Sequence, residues 1–397
     1  MTGTHIGTAN PLFRRLATAA AFAGLFSYAV ILAITPACIN EIGRFYRVSP
    51  ARLGALFFAL MAGFLVAVLA GGWYSDRRGK MPVILAGCVC MAAGAFIFGT
   101  ATVFALSVVA TLLTGVGGGL TEGTATALVS DLHGGSRRTA MLNWSQVAFA
   151  VGAVASPLAV SQLLAAGMNW RSGYFAAAAV CALSAGAAVV ALARGDTPRV
   201  AHVDRAGWRE LLRDQWVLIP CIGMMLYVGA EIGQESWLAA YFERGLNSSA
   251  PLAAASVSLF WAGMGVGRAV AARVSRRVSD TTLIRCALGL AAVCQAALLL
   301  LRGPMWGIAA TFAVGFCMAP TWPTILSIAG AARPRQSGTV FGIVVASGAL
   351  GAAIFPPIIG ALADLTGMRP ALWLCFVLLV VNLGVFLRIR SRVTVPG

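Results

Sequence analysis

Three carboxylates stand in stretches that are otherwise apolar. Glu122 lies in Gly115-Val116-Gly117-Gly118-Gly119-Leu120-Thr121-Glu122-Gly123-Thr124-Ala125-Thr126, and Glu231 and Glu235 lie in the run Trp216–Tyr241. On insertion scales a carboxylate at the centre of a bilayer costs on the order of 3 kcal/mol, so each needs a task. Two tasks suit the chemistry: carrying a proton, and accepting hydrogen bonds from a polar ligand. Tyr227, Glu231, Gln234 and Glu235 recur at i, i+4, i+7 and i+8, which places them on one face of a helix. Glu235 lies shallower on that face, where water reaches it more easily. Trp237 and Tyr241 follow near a membrane boundary, and Tyr241 suits an interfacial belt. Glu122 admits two readings, a proton carrier or a structural carboxylate hydrogen-bonded to a neighbouring helix.

Further polar and aromatic candidates are scattered. Asn143 and Gln146 sit three apart, Trp322 lies between Pro320 and Pro323, and Arg268 is the one cation inside an apolar run. The glycines before Glu122 are not a phosphate loop, because no strand precedes them and no Lys-Ser/Thr pair closes them. In a membrane helix they are close-packing positions. His5, His133 and His202 fall in loops and the nine cysteines are dispersed, so no metal ligand set is expected. Apolar packing is the expected cysteine role.

The elements that position these residues follow from composition. Of 397 residues 59% are hydrophobic and only 11% charged, against about 25% charged in soluble domains. Twelve apolar segments run close to the ~20 residues that span a bilayer, beginning with Leu16–Ile39 and ending with Ala371–Leu387. None alternates as barrel strands do. Loops that share a side with the N-terminus hold twenty-one of the 29 basic residues, against seven on the other side. That asymmetry sets both termini in the cytoplasm. The net charge of +16 is therefore an orientation signal and not a nucleic-acid footprint. Met1–Pro11 lacks a removable signal peptide.

Between the second and third segments lies Gly71-Gly72-Trp73-Tyr74-Ser75-Asp76-Arg77-Arg78-Gly79-Lys80. Gly72 would let a helix end come close to a neighbour, and Gly79 can take the positive φ of a helix-to-helix turn. Asp76 can pair with Arg77, Arg78 or Lys80, or with another helix N-terminus. The form G-x-x-x-D-R-x-G-[KR] resembles the loop between helices 2 and 3 of the major facilitator superfamily. Shifting this loop by 199 residues lands on Ala271, Ser275, Arg276 and Arg277, a second basic turn. The resemblance implies an all-α integral membrane protein with twelve transmembrane helices in two six-helix pseudo-repeats. It also implies a substrate site at mid-membrane between the halves. The expected division is 1–192, a cytoplasmic linker 193–215, and 216–397.

A narrower resemblance rests on Thr121-Glu122, Leu142-Asn143-x-x-Gln146, Leu226-Tyr227-Val228-Gly229, Pro323-Thr324-Ile325 and Gly360-x-x-x-Asp364. These are similar to motifs of the fucose–galactose–glucose proton symporters. The resemblance implies proton coupling at Glu122 and sugar contact at Asn143 and Gln146. Two positions depart from it. Thr126 stands where an asparagine is expected, and Leu32 where the fucose permease has an aspartate, and the 199-residue shift carries Leu32 onto Glu231.

The expectation is a secondary transporter of the inner membrane that takes up a sugar or similar polyol with protons. Glu122 and Glu231 would couple protons. Tyr227, Glu231, Gln234, Glu235, Asn143, Gln146 and Trp322 would bind substrate. Gly72, Asp76, Arg77, Arg78, Gly79, Lys80 and Arg268 would gate. Expected partners are a small-molecule substrate, a coupling proton and the lipid bilayer, with no nucleic acid, no cofactor and a monomeric chain. One alternative is a drug–proton antiporter, whose fifth-helix signature G-x-x-x-G-P is partly matched by Gly152-Ala153-Val154-Ala155-Ser156-Pro157. The other, a membrane enzyme or receptor, lacks a nucleophile–base pair and a large soluble domain.

Overall fold

In the computed structural model, residues 11–133, 135–195, 214–275, 277–332 and 337–388 are described. Most of the expected linker, 193–215, lies outside them. Among the described residues the chain is helical, and twelve stretches are long and apolar enough to cross a membrane. The elements are α1 (Pro11–Tyr46), α2 (Pro50–Arg78), α3 (Lys80–Thr100), α4 (Phe104–Leu132), α5 (Gly135–Ala165) and α6 (Arg171–Leu192). Then come α7 (Gln215–Ala240) with a π turn (Tyr241–Gly245), α8 (Ala250–Val274), α9 (Asp280–Leu300), α10 (Pro304–Met318) and α11 (Thr321–Ala332). The last are α12 (Ser337–Thr366), the short α13 (Met368–Ala371) and α14 (Trp373–Leu387).

Proline explains two features of this order. The tenth span is split into α10 and α11 because Pro320 and Pro323 interrupt the backbone ladder there. Pro36 lies inside α1, where it removes the bond to the Leu32 carbonyl. The chain clusters into two compact units, and the boundary in α1 falls at that proline. The first unit holds the described residues of 1–35 and 59–204; the second holds those of 36–58 and 205–397. The second unit therefore includes the end of α1 and the start of α2.

Within the first unit α3 packs on α4 and α6. The α4 glycines allow this density. A Cβ at Gly115 or Gly119 would collide with the Leu60 or Phe64 carbonyl of α2, one at Gly117 with Gly87 and Met91 of α3, and one at Gly118 with the Tyr28 ring of α1. Each glycine thus serves a particular neighbour, as close packing in membranes requires. Within the second unit α7 packs against α12, α14, α11 and α8. Trp237 donates to the Pro356 carbonyl at 2.8 Å and meets Phe57 edge to face. Tyr241 is fully buried and donates to the Leu298 carbonyl at 2.7 Å. The expected interfacial role for Tyr241 is therefore corrected: a buried backbone acceptor, not the membrane boundary, takes its hydroxyl.

Candidate functional site

The second unit buries the α7 stripe. Glu231 is 6% exposed, Gln234 and Glu235 are each 1%, and Tyr227 is fully buried. The face predicted by the i, i+4, i+7, i+8 spacing thus points inward. Its partners come from other helices. Trp261 of α8 donates its indole N–H to Glu235 Oε1 at 2.9 Å. Gln295 of α9 donates to Gln234 Oε1 at 2.8 Å. Glu231 interacts electrostatically with Tyr227 and with Arg268 of α8, and the Tyr227 hydroxyl closes no hydrogen bond of standard geometry. Arg268, expected at a gate, thus also interacts with the stripe. Glu235 was expected to lie shallower than Glu231. It is the more enclosed of the two because Trp261 covers it.

Three polar atoms in this region are buried without a hydrogen-bond partner: Gln234 Nε2, Gln295 Oε1 and Ser236 Oγ. Leaving a buried polar group unmade costs about 1–3 kcal/mol. Gln234 and Ser236 flank Glu235 on α7, and Gln295 reaches Gln234. Trp322, at the start of α11, is 36% exposed and makes no hydrogen bond or ring contact among the described residues.

In the first unit Glu122 is half-buried. It makes no hydrogen bond or ion pair among the described residues, so the structural-carboxylate reading finds no partner for it there. Its neighbour Thr121 is turned back onto its own helix, donating to Gly117 O at 2.8 Å. Gln146 is exposed on α5, and the Asn143 side chain lies outside the described residues.

The charged turn gives a mixed result. Gly79 has φ 92° and precedes α3, as expected. A Cβ at Gly72 would meet nothing within 4 Å, whereas one at Gly71 would meet Leu120 of α4 at 3.1 Å. The close approach therefore belongs to Gly71; one residue further along, the helix has rotated away from α4. Lys80 is buried and pairs with Asp131 in the last turn of α4, Nζ to Oδ2 2.6 Å. Arg77 is exposed. The Asp76 and Arg78 side chains lie outside the described residues.

A second charged cluster was not expected. Near the end of α1 distal to Pro11, Arg44 forms ion pairs with Glu41, at 2.6 Å, and with Glu243 in the π turn. Asn40 donates to Glu243 Oε2 at 2.8 Å and to Ala239 O at 3.1 Å. Arg44 and Glu243 are 199 residues apart, as are Asn40 and Ala239. Positions at the offset of the repeat thus lie against each other. Nearby, Asp364 of α12 accepts from the Ala51 backbone N–H at 3.1 Å, and a Cβ at Gly360 would meet Pro50 O at 2.6 Å. The Gly360-x-x-x-Asp364 motif therefore seats and caps the start of α2.

Twelve spanning helices without strands among the described residues, with polar side chains buried inside the bundle, define a multi-pass membrane protein of secondary-transporter fold. The sequence matches the Major Facilitator Superfamily over residues 16–343 and 304–396, and the chain belongs to that superfamily. It is 21% identical to the protein TsgA homolog of Yersinia enterocolitica over 382 residues, covering 92% of this chain and 95% of the relative. The fold is similar to that of a bacterial homolog of the human lysosomal transporter Spinster in an inward-facing, occupied conformation. There the TM-score is 0.81 at 15% identity, over 95% of this chain and 97% of the other. It is also similar to the nucleoside transporter NupG, with TM-score 0.79, 12% identity, and 94% and 99% coverage.

Trp261, Gln295 and Asp131 escaped the sequence reading. Gln295 carried a usable signal, an amide alone in an apolar run. Trp261 carried none, because an aromatic residue in a membrane helix is ordinary.

Proposed function

We propose that this chain is a proton-coupled secondary transporter that takes up a sugar or similar hydroxyl-rich small molecule across the inner membrane by alternating access, both termini being cytoplasmic. The carrying observation is the buried stripe Tyr227, Glu231, Gln234, Glu235, with amide and hydroxyl groups left unpartnered beside Glu235. Such a surface offers both donors and acceptors, which suits hydroxyls, each of them donor and acceptor at once. Asn143, Gln146 and Trp322 are assigned to the same substrate. Glu122, half-buried and without a partner among the described residues, is assigned the coupling proton, with Glu231 as the second titrating site. Asp76, Arg77, Arg78 and Lys80 are assigned to gating, which requires that their contacts differ between the states they bias. The nucleoside transporter among the structural relatives carries a hydroxyl-rich cargo of the same broad chemistry.

The test is a ligand panel on purified protein, with sugars, polyols, nucleosides and amphiphilic cations scored by thermal stabilisation. Hydroxyl-rich ligands should raise the melting temperature, and Glu231→Gln should remove the effect. Stabilisation by amphiphilic cations alone would favour the second reading, a drug or metabolite antiporter. That reading has one observation behind it. A Cβ at Gly152 would clash with Phe26 O of α1, and Ser156 donates to Val30 O at 3.0 Å, so the partial antiporter motif does join α5 to α1.

A further inference from the structure

At the Pro11 end of α1 a cavity of about 420 Å³ is lined by Arg14, Arg15, Thr18, Phe22, His133 and Met141 among its residues. Among the described residues no carboxylate lines it, and neither arginine makes an ion pair. The basic side of the cavity is organised. Thr18 Oγ1 lies 2.8 Å from the Arg14 carbonyl and 3.0 Å from His133 Nε2. A threonine hydroxyl has one proton, which it gives to the carbonyl, so it accepts from His133 and the Nε2 position carries a proton. His133, directly after α4 and itself buried, is thereby fixed against α1. Its apolar lining comes from Phe22, one turn after Thr18 on α1, and from Met141 of α5.

We propose that this cavity binds a phosphate-bearing ligand, with Arg14 and Arg15 holding the phosphate and Phe22 and Met141 receiving an apolar portion. Guanidinium groups match phosphate oxygens in a bidentate fork, which an ammonium group cannot do. Arg14 closes the first turn of α1 and Arg15 follows it, so an anion held there also lies near the positive end of the helix dipole. The same chemistry belongs to an anionic lipid headgroup and to a free phosphate ester.

The experiment uses the full-length protein in neutral detergent. Melting temperature is titrated with phosphatidylglycerol, with phosphatidylcholine and, separately, with inorganic phosphate. An anionic group should stabilise the wild type. The Arg14→Gln/Arg15→Gln variant should bind about thirty-fold more weakly, at roughly 1 kcal/mol for each lost charge. Stabilisation by phosphatidylglycerol with inorganic phosphate inert identifies a lipid site. Stabilisation by inorganic phosphate as well identifies a free phosphate ligand. Arg15→Gln alone, changing an exposed side chain, serves if the double variant folds poorly, and Arg302→Gln, between α9 and α10, should change nothing. No stabilisation by either anion, equal stabilisation by phosphatidylcholine, or an unaltered response in the arginine variants overturns the proposal.

Discussion

α4 of the first unit and α7 of the second make opposite use of a membrane helix. α4 is built to be approached. Four glycines let the α2 and α3 backbones and the Tyr28 ring of α1 come against the α4 backbone, and the helix carries one half-buried carboxylate without a partner among the described residues. α7 is built to hold polar groups. Its stripe is almost wholly enclosed, and α8 and α9 each supply a side chain to it. Dense backbone packing leaves little room for a ligand but holds a carboxylate at a defined place. A polar stripe tolerates looser, side-chain-mediated contact and offers ligand donors and acceptors. The difference fits the proposed division of labour between helices of one fold, with the coupling proton assigned to α4 and the substrate, beside the second titrating carboxylate Glu231, to α7.

The largest effect expected from breaking this contrast is steric. Gly115→Ala drives a methyl into the Leu60 carbonyl, and overpacking of this kind costs about 1–3 kcal/mol or more. It should lower the melting temperature by several degrees. Gly186→Ala on α6, where nothing lies within 4 Å, should leave it unchanged or slightly raised. Equal behaviour of the two variants would remove the close-packing account of α4.

Next in size is the loss of a donor to the stripe. Trp261→Phe keeps the ring and deletes the N–H that Glu235 accepts. A buried hydrogen bond of this kind contributes about 1 kcal/mol net, so substrate affinity should fall about five-fold. Gln295→Leu, which strips a partner from Gln234, should act in the same direction. Binding assays on both variants check this, and unchanged affinity would detach the stripe from substrate.

Lys80→Met should cost about 1 kcal/mol, because Asp131 is 41% exposed and can be rehydrated when its partner is lost. A double-mutant cycle with Asp131→Asn measures the coupling. The smallest effect belongs to Arg44→Gln. That side chain is 56% exposed, so thermal stability should shift by less than about 1 kcal/mol. Labelling of a cysteine placed near Glu243 should still change, if α1 moves against α7 during transport.

What the sequence made legible follows from cost. A polar residue in an apolar run is conspicuous because hydrocarbon penalises it, and the helical period then tells which polar residues share a face. Glu122 and the α7 stripe, the twelve spans, the break at Pro320 and the turn at Gly79 were readable on those grounds. Choice of partner was not, because it depends on the rotation and depth of other helices. Nothing in the periodicity of α7 points to Trp261, and nothing in the charged turn says that Lys80 reaches Asp131. The same ignorance of rotation assigned to Gly72 the contact that Gly71 makes. The Arg44–Glu243 pair is a different case. The 199-residue offset already related the two positions, but equivalence in a repeat does not say which equivalent positions touch.

The division between proton and substrate is tested most directly by uptake in proteoliposomes, using a hydroxyl-rich ligand identified by the stabilisation panel. Uptake driven by an imposed pH gradient is compared with counterflow exchange, which needs no net proton movement. Glu122→Gln should lose gradient-driven accumulation and keep exchange at near wild-type rate, whereas Glu231→Gln should weaken binding and depress both. A Glu122→Gln protein that still concentrates the ligand in response to the pH gradient would contradict the assignment and move the coupling site to Glu231 or Glu235.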